Sequence, residues 1–149
     1  MTRARKTAAA AAALEPPAEQ PVAIEDRGEH ELTLAGVTYR LRPSHPALVA
    51  IEKKTGRSNL ALVRLGNTQD LSNEQLGIIA AELVRAGATD AMTRAVSAER
   101  FGELIYEEGA VRACARLTLC LLDAATGGRT ASGEAKAAVT TTETDTTAA

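Results

Sequence analysis

Residues 28–66, GEHELTLAGVTYRLRPSHPALVAIEKKTGRSNLALVRLG, decide the fold, because they read as a β-hairpin that runs directly into helices. Around Ala35-Gly36 the residues alternate, with Leu32 and Leu34 before the turn and Val37, Tyr39 and Leu41 after it on one face. A two-residue loop sets Leu34 opposite Val37, Leu32 opposite Tyr39, Thr33 opposite Thr38, Glu31 opposite Arg40 and Glu29 opposite Arg42. Every pair is then apolar, hydroxylated or of opposite charge, and a slip of one residue undoes all of them. Ala35 is the weak position, since a tight primed turn asks for φ > 0 there and only Gly36 adopts that freely. A loop longer by a residue or two is the alternative. No catalytic constellation lies in this stretch.

Arg42-Pro43-Ser44 ends the second strand, and Ser44 suits the N-cap of a helix with Pro46 in its first turn. Ala47, Leu48, Ala50 and Ile51 are then buried, Glu52, Lys53 and Lys54 face water, and Gly56 stops the helix. The apolar residues of Asn59–Leu65 are spread too evenly for a simple surface helix, which wedges this segment between other elements; Gly66-Asn67 gives a turn. Ser72 and Gln75 form a capping box for a helix with Leu76, Ile79, Ala80 and Leu83 on one stripe, Glu74, Glu82 and Arg85 elsewhere, and an end at Gly87. Residues 88–96 lack a period and read as a loop with room for one helical turn. Ser97 caps the next helix, with Phe101, Leu104 and Ile105 as the apolar stripe and Glu99, Arg100 and Glu103 as the wet face. The last helix, Ala110–Ala125, is apolar over most of its circumference, which buries it on several sides or brings it against a partner, and Gly127-Gly128 stops it.

The expected fold class is mainly α with a small N-terminal β-hairpin, that is α+β: a compact domain of about five helices over residues 28–128. Residues 1–27, Ala- and Pro-rich behind a basic start, read as a disordered arm, and the Ala/Thr-rich residues 129–149 as a disordered tail. Of the 149 residues 45% are hydrophobic but only 2% aromatic, so Leu, Ile and Val must build the core. A net charge of −2 gives no electrostatic reason for a nucleic-acid or anionic-membrane partner, and no apolar stretch approaches the ~20 residues that span a bilayer.

The chemistry of catalysis is missing from the pattern. There is no phosphate-binding glycine loop, no nucleophile elbow and no H-E-x-x-H, so an enzyme is not expected, nor a cofactor. Glu107 and Glu108 are adjacent on a helix, point about 100° apart and have no His or Asp at ligand spacing, so they read as a solvated helix end rather than an acid/base pair or metal site. His30 and His45 are isolated. Cys114 and Cys120 lie on one helix ~9 Å apart along its axis, too far for a disulfide, and read as small core residues suited to a reducing cytoplasm.

The hairpin, the R-P-S junction of Arg42, Pro43 and Ser44, and the helix end carrying Ala50, Ile51, Glu52, Thr55, Gly56, Arg57 and Ser58 together resemble the gene transfer agent family of phage tail proteins, a group of small tail assembly chaperones. The run Ile105-Tyr106-Glu107-Glu108-Gly109 resembles it too, and the likeness extends over about Gly28 to Gly127. It implies a cytoplasmic assembly factor that coats the tape-measure protein and delivers tail-tube subunits to it. A structural tail-tube component resident in the virion tail is the alternative. A small DNA-binding regulator is a third reading, in which the helices flanking residues 66–70 act as a helix-turn-helix, but the would-be recognition helix, Ser72 to Ala86, offers Arg85 as its one base. Partners are therefore expected to be the tape-measure and tail-tube proteins, or further copies of the chain, without nucleic acid or membrane. The excess of apolar helix places the candidate partner-binding surface at Phe101, Leu104, Ile105, Leu117, Leu121 and Leu122, each of which could instead be internal.

Overall fold

The computed structural model describes residues 30–136. The Ala/Pro-rich arm assigned to residues 1–27, the Glu29–Arg42 pairing and the tail beyond Lys136 lie outside the described residues. The elements are β1 (His30–Leu34), β2 (Val37–Leu41), α1 (His45–Thr55), α2 (Asn59–Asn67), α3 (Asn73–Gly87), α4 (Ala91–Arg94), α5 (Ala98–Glu108) and α6 (Ala110–Ala125). The class is α+β, a mostly helical domain fronted by a two-stranded antiparallel hairpin.

The hairpin has the expected register, His30↔Leu41, Glu31↔Arg40, Leu32↔Tyr39, Thr33↔Thr38 and Leu34↔Val37. Its loop is the two-residue one: Ala35 (φ 50) and Gly36 (φ 76) are both left-handed, as a type I′ turn requires. Ala35 is held there by a hydrogen bond that its N–H donates to the Glu108 Oε1 at 2.8 Å. Glu108 is therefore more than the solvated helix end that its sequence suggests: it ties the turn to the last residue of α5. Leu32, Leu34 and Leu41 are buried beneath the sheet, and Tyr39 meets Phe101 edge-on, with centroids 5.3 Å apart and planes at 77°. On the opposite face the Thr33 and Thr38 hydroxyls are 3.0 Å apart.

Side-chain caps begin α1, α3 and α5 where the sequence places them, and Ser58 adds a cap on α2 that the sequence reading did not assign. Ser44, Ser58, Ser72 and Ser97 each accept a hydrogen bond from the N–H three residues on, and Ser72 with Gln75 completes the reciprocal capping box. Gly56, at φ 67, caps α1 at its C-terminus. The wedged segment is the helix α2, and it runs through Gly66 rather than turning there. Gly66 is a contact residue: a Cβ on it would sit 2.0 Å from Thr118 Oγ1, so its missing side chain lets α2 lie close against α6. The turn comes later, at Gln69 with φ 58.

Helix α3 is the centre of the molecule, packed by α5, α1, β2 and α6. Leu76, Ile79, Ala80, Ala81, Leu83 and Val84 are all buried on it, so its non-polar contacts extend beyond the single stripe read from the sequence. Glu82 is the cost of that position. It is only 6% exposed, yet its Oε1 accepts from both Lys54 Nζ and Arg85 Nη1 at 2.5 Å. Burial pushes the Glu82 carboxyl up, and the hydrogen bonds from Lys54 and Arg85 outweigh it, holding the group below the usual carboxylate range.

The described residues continue past the boundary assigned at residue 128. Arg129 pairs with Ala135 in an isolated antiparallel bridge, and the return between them docks on the junction of β2 and α1. His45 N–H donates to Ala131 O at 2.8 Å, buried Gly133 packs against Pro43 and Ser44, and Arg42 faces Glu134 at 3.5 Å. The Arg129 guanidinium bonds both Asp123 and the Gly133 carbonyl. Residues 129–136, beyond the boundary assigned at 128, carry no large apolar side chain, and hydrogen bonds and ion pairs anchor the segment.

Candidate functional site

The residues nominated as a partner surface divide unevenly. Phe101, Leu104, Ile105, Leu117 and Leu121 are buried in the core cluster and reach no partner while the domain is folded. Only Leu122 lies outside, at 40% exposure. The physical reason is helical angle. Phe101, Leu104 and Ile105 follow one another at i, i+3 and i+4, a single stripe that turns toward α3, while Leu117 and Leu121 share the inward side of α6 with Ala113, Cys114 and Cys120. Burial pushes the Cys120 thiol up to about 12, which leaves it protonated and unreactive as a nucleophile at neutral pH.

The outer side of α6 carries a second apolar stripe that the residue-by-residue nomination passed over. Val111 (63% exposed), Ala115, Leu119 (50%) and Leu122 recur at i, i+4, i+8 and i+11 and so face one direction. That spacing was the available signal. Arg112 and Arg116 flank the stripe and, among the described residues, form no ion pair. Two grooves border this face. One, of about 520 Å3, runs between β1 and α6 and is lined by Thr33, Arg112, Arg116 and Leu119; the other, of about 310 Å3, lies between α2 and α6 beside Gly66, Thr118 and Leu122.

The far end of α6 is pinned by charge. Asp123 Oδ2 receives the Arg129 guanidinium and lies 3.1 Å from His30 Nε2, so β1, α6 and the C-terminal return meet at one carboxylate. Burial raises the Asp123 carboxyl and the bonds from Arg129 and His30 more than reverse it, leaving it lowered. Among the described residues no group of three His, Cys, Asp or Glu side chains converges as a metal site would, and no helix is long and apolar enough to cross a membrane.

Fold and surface together define a class: a small helix-rich domain, closed at one side by a β-hairpin, that displays an apolar helix face edged with arginine. The chain belongs to the family described as phage tail tube protein, GTA-gp10, which it matches over residues 27–128. It is thus a phage tail protein of the gene-transfer-agent type, and the ordered return 129–136 falls outside the matched span. No curated protein and no solved structure matches the chain.

Proposed function

We propose that the chain is a tail assembly chaperone that binds apolar helices of the tape-measure protein and helps recruit tail-tube subunits to it. One observation carries this reading: α6, in a phage tail protein, leaves three of its large apolar residues on solvent, with Val111, Leu119 and Leu122 all at least 40% exposed. Leaving such a stripe wet forgoes roughly 25 cal/mol per Å2 of apolar area, which covering it with a partner helix recovers. A tape-measure protein presents long helices before the tube encloses them, and a helix laid along α6 between its two grooves would be shielded during that interval. The reading has no catalytic step and no cofactor, and it places the protein in the bacterial cytoplasm while particles assemble. It also fits α3, the would-be recognition helix, whose Leu76, Ile79, Ala80, Leu83 and Val84 are buried in the core.

The family's own description favours a second reading, a permanent component of the tail tube. Co-expression and particle composition separate the two. The tape-measure protein is expected to be insoluble alone and soluble with this chain, and purified mature particles to contain little of it. Finding the chain in particles at the stoichiometry of the tail tube would replace the chaperone reading with the structural one.

A further inference from the structure

We propose that the groove between β1 and α6 binds an extended, acidic segment of a partner protein, which adds to the outer edge of β1 as a third strand and sets two carboxylates on Arg112 and Arg116. The hairpin has two edges, and α3 covers one of them. Arg40 Nε donates to the Gly87 carbonyl at 3.0 Å, and a Cβ on Gly87 would sit 2.3 Å from the Arg40 carbonyl oxygen, so the end of α3 lies against β2. Just past β2, the Arg42 N–H donates to Leu83 O at 3.1 Å. The other edge opens on the groove of about 520 Å3, with Thr33 on one side, Arg112 and Arg116 on the other and the buried Leu32, Leu34 and Ala113 beneath. Among the described residues none of β2 lines it.

The register shows which backbone groups of β1 face this groove. A two-residue turn closes on Leu34 and Val37 as a hydrogen-bonded pair, so the next pair, Thr33 and Thr38, turns its N–H and C=O groups outward. The Thr33 N–H and C=O therefore point away from β2, and among the described residues neither has a backbone partner. An open strand edge is a template for pairing, and an extended chain laid against it forms its main-chain bonds there.

Charge selects the segment. Arg112 and Arg116 are exposed, and among the described residues neither forms an ion pair. The carboxylates that border the groove are directed elsewhere: Glu108 accepts the Ala35 N–H at 2.8 Å, and Glu31 stands opposite Arg40. The two arginines are one helical turn apart, ~6 Å at ~1.5 Å per residue. Alternate side chains of a strand recur on one face every ~6.6 Å, at ~3.3 Å per residue, so carboxylates two residues apart on an extended chain meet both guanidinium groups. The strand edge thus makes the occupant extended, and the arginines make it acidic at alternate positions. This site goes beyond the tape-measure reading, which needs neither the arginines nor the edge of β1.

Fluorescence anisotropy of a labelled, end-blocked peptide that alternates threonine with glutamate, titrated with the full chain, reads the site, and the same peptide with glutamine is its control. The glutamate peptide is expected to bind about tenfold more tightly, with the difference lost in high salt. Its binding is expected to slow hydrogen exchange of the Thr33 amide, which attraction to the arginines alone leaves unchanged. Thr33→Pro, which removes that N–H at an edge position where proline is tolerated, is expected to abolish binding. Arg112→Gln/Arg116→Gln, on exposed positions, is expected to weaken the glutamate peptide about tenfold and checks the site should the proline variant fold poorly. A wild-type chain with no preference for the glutamate peptide, or one that binds it with the Thr33 amide exchanging as before, would overturn the proposal. So would a full chain that binds the peptide only as Glu143→Gln/Asp145→Gln, which would make the chain's own carboxyl-terminal residues the occupant instead of a partner. None of these failures touches the tape-measure reading, whose test is the solubility of that protein.

Discussion

On α5 the large aliphatic and phenyl side chains, Phe101, Leu104 and Ile105, all point inward, whereas α6 buries Leu117, Cys120 and Leu121 and at the same time displays Val111, Leu119 and Leu122. Both helices look equally eligible as a partner surface when residues are judged by apolarity. Their angles separate them. One apolar stripe on a helix is what a core consumes: α3 takes it from α5, and α2 together with α3 takes it from α6, so that a second stripe on the far side has nothing inside the domain left to touch. The inner residues should therefore govern stability, and the outer ones binding.

The largest effect is expected where the two stripes are most unlike. Leu117→Asp on the inner side of α6 should leave the domain unfolded, and Phe101→Ala on α5 should cost about 3–5 kcal/mol in chemical denaturation. A folded Leu117→Asp chain would mean that the inner face of α6 is not core.

Next comes the buried carboxylate of α3. Removing both cations with Lys54→Met/Arg85→Met strands the Glu82 charge inside and is expected to cost roughly 3 kcal/mol, whereas Glu82→Gln frees two half-exposed cations to water and costs about 1 kcal/mol. Equal losses in the two variants would show that water already reaches Glu82. The same site sets an acid limit. Glu82 and Asp123 both titrate lower in the folded chain than in the unfolded one, so their stabilisation is present at neutral pH and is lost as pH falls through the carboxylate range, from the unfolded Glu value of 4.5 downward. Melting temperature measured against pH should be flat near neutrality and drop below that point. A chain ending at Gly128 is expected to melt several degrees below one ending at Lys136, since losing about 1 kcal/mol of contacts lowers Tm by roughly 4–8 °C in a domain of this size. Identical melting would mean that the return adds nothing to the fold.

Much of this architecture was legible in the chain. The hairpin register followed from matched pairs across Ala35-Gly36, and three serine caps, Ser44, Ser72 and Ser97, announced their helices, because both signals are local and depend on neighbours in sequence. What failed to show was long-range. Glu82 looks like a wet residue on an amphipathic helix until Lys54, 28 residues earlier, packs beside it. Gly66 looks like a turn until Thr118 closes on it, and Gly128 like a terminus until Ala131 finds the His45 N–H. The candidate surface was half visible: the surplus of apolar residues on α6 could be read, but the assignment of Leu117 and Leu121 to the outside ignored their angle relative to Val111 and Leu119.

The most direct test of the second stripe is a triple variant, Val111→Ser/Leu119→Ser/Leu122→Ser, measured for its effect on the solubility of the co-expressed tape-measure protein and for its own melting. Exposed positions away from special contacts usually change stability by no more than about 0.5 kcal/mol each, so the variant should fold and melt close to the wild type. The expected result is a folded chain that no longer keeps the tape-measure protein soluble. Rescue undiminished from the wild-type level, by a variant with that face removed, would contradict the assignment of α6 as the docking surface.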